Sequence, residues 1–542
     1  MKRPFVTITT GAGVLLLGLL IVPMQGCTNL DETPVSQITP GNFFRNDAEV
    51  LAGLAGVYAQ LRSTAPEGGI YDVNEVTTDE IVVPTRGSDW YDNGQWIDLH
   101  NQTWTPGSAA SGFFNGAWNS AYTGVARANL FLSALENVNV PNKATVVAEG
   151  RALRAFYYYI LLDMFGGVPI VTTTEVALRP RSTRRELFDF IEKELIAARD
   201  SGLPATWGAA DNGRLTKGAA DAILANMYIN AGVFTKDGTA ASPINATTYN
   251  TCLGVTVTGG DACAAAIAAA DRVLNAGYQL ADSFPQNFRF DNYKSPENIF
   301  VVKFIAADGL GMGITMAALH YCQYAPLTPW NGFATLAQTY NAFDPTDKRR
   351  NTILIGPQVD VLSGAPATVR VSGACPASGG TPLVFTDTIR DIRSASEAEG
   401  PRIYKWPADP AHVQQNSGND FAWFRLGEIY LIKAEALNEQ TPGTAAALAL
   451  LNTLRNRNGH PVAPVLAGAI THAMILNERL FELFGESKRR QDLVRFGQYT
   501  ARTDAASGLA GGKTARAAYY VLMPIPQVQV NANPLLTQNP GY

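Results

Sequence analysis

The stretch RALRAFYYYILLDMFGGVPIV, residues 151–171, decides how the rest of the chain is read. Leu153, Phe156, Tyr157, Ile160, Leu161, Met164 and Phe165 recur at steps of three and one, which a 3.6-residue period places on one broad helix face. That face has to be buried. Gly166 and Gly167 supply the backbone freedom a helix end needs, and Pro169, unable to continue a helix, opens an extended segment. Neighbouring helical side chains lie about 100° apart, so Tyr157, Tyr158 and Tyr159 cannot share a face. The helix is expected to pack on more than one side, with Tyr158 directed at other elements or a cleft.

On both sides of this helix the same period returns. Asn46 or Asp47 caps a helix through Leu61 with Val50, Leu54, Val57 and Leu61 inward. Phe114, Trp118, Ala121, Tyr122 and Val125 mark another that runs to about Leu135, and further helices are expected over 183–198, 216–231 and 261–276. Leu426, Tyr430, Ala434 and Leu437 form a stripe that breaks at Pro442 and Gly443, before a second helix from Thr444 to Gly459 and a last one over 471–485. Between these blocks, residues 63–109 and 277–420 lack a sustained period. The first reads as an irregular excursion, the second as a compact loop-rich lobe with a strand-like piece at 299–304. The fold class is therefore all-α, a tetratricopeptide-like stack of helix pairs within 46–276 and 421–542, with the lobe packed on it.

Lys2 and Arg3 followed by the apolar run VLLLGLLIV at 14–22 read as a signal peptide over residues 1–26, because the run is shorter than the roughly 20 residues a membrane span needs. Met24, Gln25, Gly26 and Cys27 resemble a bacterial lipobox, Gln25 standing where a small residue is usual. Cys27 is then the lipidated first residue, and 27–45 is a polar, Pro-containing tether. The alternative is plain secretion with a free Cys27. Loss of Lys2 and Arg3 with the signal segment moves the formal net charge from −5 to −7, which argues against a nucleic-acid partner. Oxidation is permitted outside the cytoplasm, and Cys252 with Cys263 flanks a loop short enough to close as a hairpin. Cys322 with Cys375 would need a long-range contact that spacing does not disclose. The five histidines sit at no ligand spacing to the cysteines or to one another, so no metal site is expected.

Binding residues are expected in the first excursion, where Asp79, Arg86, Asp89, Trp90, Tyr91, Asn93, Gln95, Trp96, Asn101 and Trp104 mix flat rings with amides and charges. Sugars call for that mixture, since their C–H faces stack on rings and their hydroxyls need donors and acceptors. Trp104, just before Pro106, reads as an anchor buried in its own loop. A second candidate is HYCQYAPLTPWNG at 320–332, with Tyr321, Tyr324 and Trp330.

Five stretches in order are similar to the SusD/RagB family of outer-membrane nutrient-binding lipoproteins: CTNLDETPVSQITPGNFF, the opening helix above, FRLGEIYLIKAEALNE followed by LNTLRNRNG, NERLFELFGESKRRQDLVRFG, and LMPIPQVQVNANPLLTQNPGY. The resemblance implies a lipid-anchored protein facing outward from the outer membrane. It also implies capture of oligosaccharides for a SusC-type TonB-dependent transporter, with peptide or glycopeptide capture as the alternative. It adds ligand contacts in the loop-rich lobe.

A secreted hydrolase would need paired carboxylates free of basic neighbours. Glu478, Glu482 and Glu486 lie four apart, but Arg479, Arg489, Arg490 and Arg495 are close in sequence, and arginines hold carboxylates ionised. GLAGGKT at 508–514 has Ser507 where a phosphate loop needs glycine and no preceding strand. No cofactor or catalytic motif is found. If Cys27 carries the lipid, Cys27→Ser yields a protein that partitions to the aqueous phase on detergent extraction, because each buried methylene contributes about 0.8 kcal/mol to anchoring. Unchanged membrane retention refutes the lipid assignment.

Overall fold

The computed structural model describes residues 44, 46–66, 69–238, 244, 246–376 and 379–542. The expected signal peptide, Cys27 and, Phe44 aside, the tether lie outside the described residues. Helices run over Asp47–Ala59 (α1), Gly69–Val76 (α2), Gln95–Asn101 (α3), Ser111–Ala134 (α4), Lys143–Phe165 (α5), Arg184–Ser201 (α6), Lys217–Ile229 (α7), Ala262–Leu274 (α8), Leu426–Gln440 (α9), Ala445–Arg455 (α10), His472–Leu483 (α11) and Arg489–Arg495 (α12). The main strands, Asn298–Val302 (β1) and Phe421–Arg425 (β2), pair antiparallel. The fold is the all-α, tetratricopeptide-like stack expected. α4 packs on α5, α5 on α6, α6 on α7, α7 on α8, α8 on α9, and α9 on both α10 and α11.

Helix starts are fixed locally. Asn46, Thr183, Thr216 and Asp261 each accept a first-turn N–H with a side-chain oxygen, and Thr183 with Glu186 forms a complete capping box. α1 gives way to a 3₁₀ turn at Gln60–Thr64, yet Leu61 remains buried with Val50, Leu54 and Val57. In α9, Tyr430 and Leu437 are only half-buried, while Ile429, Leu431, Ile432 and Ala436 are buried, so the inner face is wider than the expected stripe.

α5 is buried on every side from Ala152 to Phe165. Its three tyrosines diverge as the helical geometry demands. Tyr157 donates to the Val57 carbonyl of α1 at 2.8 Å, and Tyr159 donates to Asn226 of α7 at 2.9 Å. Tyr158 faces no cleft. It is buried, donates to the Val171 carbonyl at 3.0 Å and accepts from the Val171 N–H at 2.6 Å. Gly124 on α4 makes this packing feasible, since a Cβ there would lie 2.5 Å from the Tyr157 ring. Gly166 ends α5 with φ +76° and ψ −137°, a conformation open to glycine.

The excursion at 63–109 is not wholly irregular, for it contains α2 and α3. α2 shows no sequence period because every residue from Ile70 to Val76 is buried. Two of its neighbourhood's carboxylates hold a distant turn. Glu75 accepts from the Ser487 N–H at 2.5 Å and Glu80 from the Gly485 N–H at 2.7 Å.

The lobe is joined to the stack by a buried ionic network. Arg425, at the end of β2, donates to Glu297 and Glu482 at 2.7 Å each and to Glu486 at 2.6 Å. Arg457 also reaches Glu297 and Glu482. Arg349 donates to Glu478 and Glu482 at 2.8 Å each and pairs with Asp347, Arg455 pairs with Glu478, and Lys405 with Glu486. Five carboxylates thus face five cations, all buried. Burial alone would raise the Glu482 carboxyl, but Arg457, Arg425 and Arg349 hold it far below the usual carboxylate range. These partners differ from those expected. Arg479 pairs with Asp492 at 2.7 Å, Arg489 with Asp79 at 2.8 Å, Arg495 with Glu435 at 2.6 Å, and Arg490 with Asp163. Residues adjacent on a helix point in different directions, so nearness in sequence misassigned them.

Burial pushes the Glu75 carboxyl up from 4.5 to about 7, with Glu80 also raised beside it. The folded state therefore binds this proton more tightly than the unfolded chain. Its contribution is full below pH about 4.5 and is lost as pH rises towards about 7. Glu75→Gln, which mimics the protonated form, is expected to raise stability at pH 8 by about 1–3 kcal/mol and to change it little at pH 4.5. Thermal melts at the two pH values check this, and an equal effect at both refutes it.

Candidate functional site

The site forms where the first excursion meets the loop-rich lobe. A hairpin tip closes by reciprocal backbone hydrogen bonds between Arg86 and Asp89 at 2.9 and 3.0 Å. Arg86 is buried, donates to the carbonyls of Ser396 and Glu399, and is lowered to about 10 by burial. It therefore anchors the hairpin to the lobe from beneath. Asp89, Trp90 and Tyr91 follow at the surface. Trp90 donates its indole N–H to the Trp330 carbonyl at 2.6 Å, which brings the two candidate stretches together. Its ring lies on the backbone of Gly332, where a Cβ would sit 2.3 Å from the indole.

Tyr321 donates to Asp89 at 2.5 Å, and the Arg370 guanidinium lies over the Tyr321 ring at 3.4 Å. Arg370 also donates to Glu397 at 2.7 Å and to Asp89 at 3.5 Å. His320 lies behind them. Its Nδ1 accepts from the Cys322 N–H at 3.2 Å, which leaves Nε2 to donate to Glu397 at 3.1 Å. Burial lowers His320 to about 4, so the ring is neutral at pH 7. Arg370 and Glu397 were not singled out from sequence. The signal for them is the disulfide between Cys322 and Cys375, Cα atoms 5.6 Å apart, which ties the loop bearing Arg370 to the segment bearing Tyr321. Cys252 and Cys263 form a second disulfide across a hairpin of Thr256–Val257 with Gly260–Asp261.

The remaining expected ligand contacts divide by burial. Tyr91 is 58% exposed, Asn93 is exposed with φ +57°, and Trp90 and Trp330 are half-buried. Trp96 is only 7% exposed, its ring 4.8 Å from Phe113 and 5.4 Å from Trp90, and its N–H bonds to Asp92 at 2.7 Å. It is a support beneath Trp90 and not a contact surface. The same correction applies to Tyr321, 5% exposed, committed to Asp89 and covered by Arg370, and to four others. Asp79 is committed to Arg489, and Arg86 is buried under the hairpin. Asn101 bonds Gly511 at 2.8 Å away from the rings, and Tyr324 is buried against His412. Each was read from a loop composition that suits ligand and interior alike. Trp104 is the anchor expected, fully buried with its N–H 2.8 Å from the Tyr542 hydroxyl.

The outcome is a junction at which the Trp90 indole meets the Trp330 backbone, with the exposed Tyr91 next in the chain and Asp89 joined to Tyr321 and Arg370. Comparison with known proteins places the chain in a family. A model described as the SusD family matches residues 334–542, and one described as starch-binding associating with outer membrane matches residues 30–229. The chain belongs to the SusD/RagB family. Among its relatives, the starch-binding protein SusD of Bacteroides thetaiotaomicron is 26% identical, over 97% of this chain and 98% of its own. A solved laminarin binding SusD-like protein superposes with a TM-score of 0.67 at 23% identity, covering 92% of this chain and 100% of its own. Surface glycan-binding protein A from Bacteroides thetaiotaomicron, in complex with laminarihexaose, gives 0.68 at 19% identity, covering 91% and 99%. At these identities the two structures speak for the fold.

Trp96→Ala is expected to cost about 3–5 kcal/mol in chemical denaturation, as loss of a buried aromatic ring does, whereas Tyr91→Ala stays within about 0.5 kcal/mol of the parent. Equal stability of the two variants refutes this division of the rings.

Proposed function

We propose that the protein captures neutral oligosaccharides on the Trp90, Tyr91 and Trp330 face. Held at the outer membrane through Cys27, it then delivers them to a SusC-type TonB-dependent transporter. The observation that carries the reading is the bond from the Trp90 indole to the Trp330 carbonyl, which brings two remote aromatic-bearing segments together. Flat rings take the C–H faces of sugars, and Asp89 and Arg370 offer an acceptor and donors to flanking hydroxyls. The names of the relatives, starch-binding and laminarin binding, support glycan as the ligand class.

The charged groups favour binding over hydrolysis. Burial alone would raise the Glu397 carboxyl, but the hydrogen bonds from Arg370 and His320 hold it below its ordinary value. A general acid needs the opposite shift. Among the described residues no helix is long and apolar enough to cross a membrane. Passage of the ligand is accordingly assigned to the partner.

Titration calorimetry with maltohexaose and laminarihexaose tests the reading. Affinity in the micromolar to millimolar range is expected. Tyr91→Ala with Trp330→Ala weakens it about tenfold or more, roughly 1.4 kcal/mol or above, with the melting midpoint nearly unchanged. Binding of peptides but not glucans, or release of reducing sugar, overturns it. Purification in mild detergent is expected to bring down a larger β-barrel protein, and isolation alone in folded, ligand-competent form overturns the delivery step.

A further inference from the structure

A second cleft, of about 250 Å³, lies between the loop after α6 and the segments after α8, and none of the residues that line it belongs to the Trp330 face. Through Asn212, Gly213, Arg214 and Val301 it continues into a groove of about 370 Å³ beside α1. Trp207, Tyr278 and Tyr293 stand around the cleft. Trp207 is fixed by its N–H bond to the Leu215 carbonyl at 2.8 Å, and Tyr278 by its hydroxyl against Thr216 at 2.8 Å. Tyr293 is 50% exposed and stands at the mouth. Two glycines let the walls pack closely: a Cβ at Gly218 would lie 2.6 Å from the Tyr278 ring, and one at Gly213, with φ +97°, 2.6 Å from the Lys303 stem.

The electrostatics select the ligand. Arg214 lies over Trp207 at 3.8 Å, but its donors are taken by Glu149 at 2.5 and 3.1 Å and Asp211 at 2.8 Å. Lys303 is paired with Asp420 and donates to Asn212 at 3.2 Å. An anionic ligand would have to displace carboxylates already in place, so phosphate and acidic groups are disfavoured. What the cleft offers is ring surface and one uncommitted polar atom, the buried Oδ1 of Asn298, while Asn212 and Thr216 are already bonded to Lys303 and Tyr278. A neutral ligand with C–H faces and vicinal hydroxyls matches that surface.

We propose that the cleft between Trp207, Tyr278 and Tyr293 is a second site for a neutral saccharide, with the adjoining groove beside α1 able to receive further units of the same chain. Two sites on one receptor would let it hold a polymer at two points, with a gain in retention that neither site provides alone.

Hydroxyl-radical footprinting of the full chain in detergent micelles, with maltohexaose and laminarihexaose at millimolar concentration, resolves the sites. Oxidation of Trp207 and Tyr293 is expected to fall on addition of sugar in the parent and equally in the Tyr91→Ala, Trp330→Ala variant. Tyr293→Ala is expected to raise the concentration that protects Trp207 about tenfold. Protection confined to Tyr91 and Trp330 overturns the second site and leaves the first. Protection confined to Trp207 and Tyr293 supports the second and overturns the first, and no protection anywhere overturns both.

Discussion

The most heavily buried link between the loop-rich lobe and the helices is the pairing of Arg425 and Arg457 with Glu297 and Glu482. Burying a charge costs several kcal/mol, and the cost is offset only when each charge is matched and its remaining hydrogen bonds are made. Here five acids meet five bases, so no charge is left over, but the removal of any one would strand its partner. The elements joined are β1, β2, α10, α11 and the lobe segments that carry Asp347, Arg349 and Lys405. Gly427 shows how tightly they converge, for a Cβ there would lie 2.4 Å from Arg425 and 2.8 Å from Glu482. The start of α9 can approach the network only because that residue has no side chain.

With the lobe fixed in this way, the aromatic face can be built from loops without being loose. Its two halves are held by different means. The Arg86 side chain locks the hairpin to lobe carbonyls, while the Cys322 and Cys375 disulfide locks the Arg370 loop to Tyr321. Rings and charged groups then meet with their relative positions set before any ligand arrives, which reduces the entropy that binding has to remove.

Much of the scaffold was legible because its causes are local. Caps such as Thr183 and Thr216, the Gly166 stop and the diverging tyrosines of α5 follow from a few neighbouring residues. α2 was not legible, because a helix buried all round has no period to detect. The partners of Glu478, Glu482 and Glu486 were not legible either, since Arg349 and Arg425 lie far away in sequence. In the candidate site, composition singled out two loops that the fold brings together but did not sort surface from support. Trp90 and Trp96 are alike in sequence context, and only the turn at 90–94, with Trp90, Asp92 and Asn93 at positive φ, places one above the other. Arg370 was hidden for a topological reason, because nothing in spacing pairs Cys322 with Cys375.

The contact of Trp90 with Gly332 bears on how the ligand range of such a face could drift. Trp90 is pinned by its own indole bond and by a backbone that tolerates no side chain at 332, so change at either position disturbs the other. Tyr91 has no such constraint, being mostly solvent-facing. Under the proposed function, variation that retunes recognition is thus channelled to the exposed Tyr91, while Trp90 is altered only by a coordinated double substitution with Gly332.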